Sequence, residues 1–247
     1  MSHALKTLKE KFYAGRLSEV RKKDPEVSEA ALFVEGLFGR PLRNDPEVLN
    51  ININPFTSHS GKHVNLPKKF KPKYLFVFPF PAGPLWTRTS SSIHELVHSE
   101  DIGPPKSTSA LGFILQNTKG AFDIVRRCIL EGRAVFAQQI HNGKIERFNS
   151  HFKHLIVGAS LMAVSVATDI QLLVIPAAFS LTLGILYWPF HNALCSLSKK
   201  VGDPVKAFKM TTDKPPSFAA ILFPARYYKK EIEAIKGQNS ACSEGTA

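Results

Sequence analysis

The sequence predicts a mainly α-helical fold: a membrane helical hairpin over residues 155–190, joined to a small helical, partly irregular N-terminal region that contains a short strand. Three observations carry that expectation. Residues 155–190 hold a single charged side chain, Asp169. Basic charge flanks them on both sides, because the net charge of +12 divides as +5 over residues 1–110, +4 over 111–154, −1 over 155–190 and +4 over 191–247. Apolar residues recur at helical spacing in the flanks, whereas only residues 74–78 form a continuous run suited to a buried strand. Four zones follow: a basic N-terminal region (1–110), an amphipathic helical connector (111–154), the apolar hairpin (155–190) and a basic C-terminal region with a disordered tail (191–247).

Taking the elements in order, residues 4–20 place Ala4, Leu5, Leu8 and Phe12 at helical spacing and predict a short amphipathic helix. Asp24 is a good N-cap, Pro25 suits the first helical position and Glu26 complements the positive helix end. Val27, Ala30, Val34, Leu37 and Phe38 then form an apolar stripe that Gly39 and Pro41 end. The tetrapeptide DPEV recurs at residues 24–27 and 45–48 and reads as two similar caps. Residues 50–72, rich in Asn, Pro, Ser and Lys, read as a loop, with a basic cluster at Lys68, Lys69, Lys71 and Lys73. Between residues 120 and 147, Phe122, Val125, Ile129, Phe136 and Ile140 recur at helical spacing. Arg126, Arg127 and Arg133 fall largely on other faces, and Gly132 and Asn142-Gly143 predict an interruption.

The apolar zone is too long for one crossing, since 36 residues of helix extend about 54 Å against a hydrocarbon core of about 30 Å. Splitting it at Thr168-Asp169 gives arms of 14 and 21 residues. Gly158, Ala159, Ala163 and Ala167 allow close packing of the arms, and Tyr187 and Trp188 suit a membrane interface. With Arg147, Lys153, Lys199 and Lys200 at the flanks, the positive-inside rule predicts a membrane location with both termini on the cytosolic side. Two apolar lobes around a short polar turn, with the runs GASLMAVSVATDI and SLTLGIL, resemble the hairpin of chlamydial inclusion-membrane proteins. The resemblance covers about residues 147–200. It implies a secreted effector in a host-derived membrane and carries no functional residues with it.

Composition narrows the function classes. Charged residues at 21% and apolar residues at 44% argue against disorder along the whole chain. Cys128, Cys195 and Cys242 lie far apart with no CxxC spacing, so no disulfide framework or cysteine zinc site is expected. No cleavable secretory signal is visible at the start. The basic excess is diffuse and accompanied by no nucleic-acid motif, which leaves a basic nucleic-acid-binding protein supported by charge alone. No glycine-rich phosphate loop or GxSxG elbow is present.

One motif carries chemistry. His94-Glu95-Leu96-Val97-His98 matches HExxH, in which two His one helical turn apart bind zinc and the Glu activates water. Metal ligands are thus expected at His94 and His98, with Glu95 as the catalytic residue. Glu131, His141, Glu146, His151 and His154 are alternatives for a third ligand. The competing reading is a short capped surface helix, with Ser92 as N-cap and Glu95 completing a capping box. The sequence therefore favours a non-enzymatic, membrane-anchored interaction protein that meets the bilayer, anionic lipid headgroups or a cytosolic protein and needs no cofactor. A membrane-anchored zinc metallopeptidase is the alternative, with zinc as its cofactor. Residues 218–230, FAAILFPARYYKK, are expected along the membrane surface, and the tail after Gly237 is expected to be disordered.

Overall fold

A computed structural model of the chain describes residues 12–51, 59–64, 74–79, 87–102, 124–147, 150–168, 170–186 and 188–244. Two compact units divide it, Met1–Gly120 and Ala121–Ala247. The described residues are mainly helical.

The first unit contains β1 (Phe12–Arg16), α1 (Leu17–Val20), α2 (Pro25–Phe38), β2 (Glu47–Ile51), β3 (His59–Val64), β4 (Tyr74–Pro79) and α3 (Arg88–Ile102). Its sheet has the order β1-β2-β4-β3. β1 is antiparallel to β2, β2 is parallel to β4, and β3 is antiparallel to β4. One row across the sheet aligns Gly15, Val48, Leu75 and His63. α2 forms as expected: Asp24 accepts from the backbone N–H groups of Glu26 and Val27 at 3.1 and 3.2 Å, and Gly39 closes the helix at φ 64°. Val27, Ala30, Val34 and Leu37 are buried.

α3 packs against α2 on one side and against β3 and β4 on another. The two helices run parallel, because Arg88 at the start of α3 pairs with Asp24 and Glu26 at the start of α2, while Glu100 near its end pairs with Arg40 just after α2.

Several sequence expectations change here. Residues 1–11 lie outside the described residues, and Phe12–Arg16 is a strand, since pairing with Glu47–Ile51 overrides a weak helical periodicity. The second DPEV does not cap a helix. Asp45 instead accepts from Ser18 N and Ser18 Oγ at 2.8 and 2.9 Å, and Glu47 opens β2. Within the expected loop of residues 50–72, His59–Val64 is strand β3, and the cluster Lys68–Lys73 lies outside the described residues.

The second unit is helical among its described residues: α4 (Ile124–His141), α5 (Ser150–Thr168), a 3-10 turn (Gln171–Leu173), α6 (Val174–Leu186), α7 (Trp188–Val201), α8 (Pro204–Asp213), α9 (Phe218–Leu222), α10 (Pro224–Tyr227) and α11 (Lys229–Glu244). α7 is its hub, packing against α4, α6, α8, α9, α10 and α11. Phe190, His191, Leu194, Cys195 and Leu197 on α7 are essentially inaccessible, as are Phe136 of α4 and Phe208 of α8. Lys199 and Lys200 in the last turn of α7 complement its negative end, and Gly202 at φ 76° stops it. Asp203 then caps α8 by accepting from Val205 N and Lys206 N at 2.8 and 3.0 Å.

Gly132 does not interrupt α4. A Cβ there would stand 2.7 Å from the backbone N of His191 and 3.0 Å from Phe190 Cβ, so the glycine permits the close crossing of α4 and α7. Arg133 also departs from expectation. It is buried, donating to Thr212 Oγ1 at 2.9 Å with its guanidinium 4.8 Å from the centroid of the Phe208 ring.

α5 and α6 form the hairpin that residues 155–190 suggest, but neither is long and apolar enough to cross a membrane, and among the described residues no helix is. α5 opens on the polar sequence SHFKH, which leaves about 21 Å of apolar helix from residue 155 onward. The described part of α6 covers 13 residues, or about 20 Å, against about 30 Å of hydrocarbon. The expected second arm does not start as an α-helix: Gln171–Leu173 is a 3-10 turn, and α6 begins at Val174. This overturns the transmembrane helices and the membrane location with cytosolic termini. Residues 218–230 are divided in their surroundings: Phe218, Leu222 and Phe223 are exposed, whereas Tyr228 is fully buried, its hydroxyl donating to Lys214 O at 3.2 Å, and the Tyr227 hydroxyl donates to Pro215 O at 2.8 Å. The tail expected to be disordered continues α11 to Glu244.

Two outcomes follow from this packing. Gly132→Ala destabilises the second unit by about 1–3 kcal/mol, because backbone rather than a flexible side-chain end meets the added methyl; urea unfolding in a Trp86→Phe background, which leaves Trp188 as reporter, measures it. Burial lowers the His191 pKa to about 4, so the folded state holds a neutral imidazole that the unfolded chain protonates below about 6.5. That stability is fully present above pH 6.5 and is lost as pH falls toward 4. Between pH 7.5 and 5, wild type loses about 2 kcal/mol more than His191→Gln in the same urea measurement.

Candidate metal centre

α3 is a polar helix in a buried position. Ten of its residues from Arg88 to Glu100 are polar or charged and all are buried; only Ile93, Leu96 and Val97 in that stretch are apolar. Helices seldom bury polar side chains on every face, because each must find a partner to offset its lost hydration. The helix ends show how α3 meets that cost. Arg88 pairs with Asp24 and Glu26, and Glu100 accepts from Arg40 at 2.6 Å, from Arg43 N at 2.9 Å and from Asn44 N at 3.3 Å. Asn44 Nδ2 donates to Ser99 O at 2.7 Å.

The expected surface helix capped by Ser92 is therefore incorrect. The helix begins at Arg88, where Thr87 accepts from Ser90 N through Oγ1 at 3.1 Å and from Ser91 N through its carbonyl at 2.9 Å. Ser92 lies inside the helix with its Oγ buried and without a hydrogen-bond partner. Glu95 is consequently not part of a capping box and is 5% exposed.

The middle of α3 brings the two predicted ligands together. His94 Nε2 and His98 Nε2 stand 3.0 Å apart, with ring centroids 4.6 Å apart and planes at 84°. One helical turn separates them, so their side chains rise from the same face. Two nitrogens aimed at each other at this distance share either a proton or an ion. Around a tetrahedral zinc, two imidazole nitrogens at about 2.0–2.1 Å from the metal lie about 3.3 Å from each other, close to what the helix already presents. Glu95, one residue on from His94, sits about 100° further around the helix.

The five sequence alternatives for a third ligand, Glu131, His141, Glu146, His151 and His154, all lie in the second unit. Glu146 is exposed with Lys144 at 3.0 Å, and His141 Nδ1 stands 3.4 Å from Asn142 Oδ1.

A second constellation escaped the sequence reading. His191 and Cys195, one turn apart on α7, are both buried; His191 Nε2 meets Gln139 Oε1 at 2.9 Å and Cys195 Sγ at 3.6 Å. Gln139 also accepts from Glu146 N and donates to Glu146 O, at 3.1 and 3.2 Å. The spacing HNALC was legible, but only the fold supplies Gln139. Burial pushes the Cys195 thiol up to about 11 and the imidazole down to about 4, so both stay neutral. A protonated, inaccessible thiol is no nucleophile. The group fastens α7 to α4 and to the segment after it.

Removing one partner of the buried pair at the start of α3 should be costly. Arg88→Met leaves Asp24 buried opposite an uncharged side chain and lowers the stability of the first unit by about 3–5 kcal/mol, measured as protection of α3 amides from hydrogen exchange. Comparison of the chain with protein families, curated proteins and solved structures found no match.

Proposed function

We propose that the first unit is a zinc-dependent hydrolytic domain of the HExxH type, with His94 and His98 as metal ligands and Glu95 as general base. The observation that supports this most is the 3.0 Å approach of the two Nε2 atoms within a helix buried on all sides. A polar helix kept in the interior costs stability, and interiors retain such groups where chemistry uses them. Zinc, when bound, acts as a Lewis acid and lowers the pKa of water toward 7. His94 and His98 would hold it, their rings kept in place by the packing of α3 on α2 and the sheet. Catalytic zinc takes three protein ligands, and α3 supplies two of them. Glu95 accepts the proton of the attacking water, and its burial strengthens that interaction by excluding bulk solvent. The substrate class is the peptide bond, as the spacing of the motif implies.

Zinc analysis tests the proposal. The full chain, loaded with zinc and dialysed against metal-free buffer, is expected to retain one ion per molecule. His94→Ala and His98→Ala each abolish retention. Glu95→Gln keeps the metal but lowers cleavage of a quenched fluorescent peptide mixture by about 10²–10⁴-fold. Folded wild-type protein that retains no zinc, or retention indifferent to both His substitutions, overturns the assignment.

A further inference from the structure

We propose that the outer face of the hairpin formed by α5 and α6 is a self-association surface whose occupant is a second copy of this chain. The inner face is already committed. Gly158 lets α5 approach α6 so closely that a Cβ would stand 2.7 Å from Leu181 Cγ and 3.0 Å from Ala177 O, and Ser180 Oγ donates to His154 O at 2.9 Å. Ser165 Oγ, donating to Ile170 O at 3.0 Å, closes the turn. The outward side chains take no part in this packing. Ile156, Val166, Leu172 and Ile175 are 65, 80, 78 and 70% exposed, and they belong to a set of eight exposed large aliphatic residues between Ile156 and Ile175.

At on the order of 100 Å² each, those eight side chains, spread around the outer half of the hairpin, expose roughly 800 Å² in all, the order of what one partner contributes to a standard interface. Typical monomers expose contiguous apolar patches of only a few hundred Å². The area thus matches what a stable dimer needs.

Charge selects the occupant. A chain of net charge +12 attracts acidic partners, but such partners require basic groups at the contact. Between residues 154 and 186 the sequence has a single charged residue, Asp169. The surface that fits this face is equally large and equally uncharged, and a second copy carries one. A two-fold axis pairs the patch with itself. The remaining charge of each copy repels the other through solvent, and salt screens that repulsion. Self-association through this face therefore strengthens as salt rises, whereas binding to an acidic protein, nucleic acid or anionic surface weakens.

Sedimentation velocity of the full chain, over a concentration series at low and high sodium chloride, tests this. The expected result is a concentration-dependent doubling of mass that shifts to lower concentration at high salt. Val166→Glu and Leu172→Glu should each weaken association by about tenfold or more, as burial of an unpaired carboxylate requires. Leu32→Glu, at an exposed site on α2 in the other unit, should leave it unchanged. Circular dichroism confirms folding, and Ile175→Lys replaces any variant that fails it. A monomer at every concentration and salt, association indifferent to the hairpin substitutions, association weakened by salt, or a monomer that instead binds phosphatidylcholine vesicles through this face overturns the proposal.

Discussion

Keeping a polar helix in the interior is the constraint on which the first unit depends. Ten polar or charged side chains of α3 have left water, and each loses hydration that only a specific partner restores. The ends of the helix are secured by charge. Asp24 serves twice, as N-cap of α2 and as counter-ion to Arg88, so the start of one helix positions the start of the other. Glu100 gathers Arg40 and two backbone N–H groups from the segment after α2. These two clamps set the parallel alignment of α2 and α3 and hold His94 and His98 between them. The proposed zinc site would benefit directly, because rings fixed by packing lose little further freedom when an ion binds.

The second unit meets a similar demand by different means. Its hub α7 is buried with apolar residues, and its polar members His191 and Cys195 are kept neutral. Neutrality makes their burial tolerable, and Gln139 supplies the hydrogen bond that His191 requires. Two glycines then set helix spacing, Gly132 at the crossing of α4 and α7 and Gly158 within the hairpin. The outer hairpin face stands apart, since nothing in its own packing needs Val166 or Leu172 to be apolar.

What the sequence made legible was local. Asp24, Pro25 and Gly39 bracket α2 because caps and left-handed stops act within one helical turn, and the strand at Tyr74–Pro79 followed from a continuous apolar run. The HExxH spacing alone places His94 and His98 on one helix face. Their burial was not legible, because Ser90, Ser91 and Ser92 look like a solvated surface until α2 and the sheet are brought against them. The sheet was largely missed for the same reason: β1 pairs with residues about 35 positions away, and its own periodicity mimics a helix. The membrane expectation failed because counting charges over residues 155–190 does not register where the helix breaks. The backbone leaves the helix at Ile170, and among the described residues no helix is long and apolar enough to cross.

The central claim is that α3 presents two imidazoles to one zinc ion, and X-ray absorption at the zinc edge addresses it directly. The zinc-loaded full chain should show a nitrogen and oxygen shell at about 2.0–2.1 Å, with outer-shell scattering that fits two imidazole rings and falls to one in His94→Ala. A shell of sulfur at about 2.3 Å, or a spectrum unchanged by substituting either His94 or His98, would contradict the account.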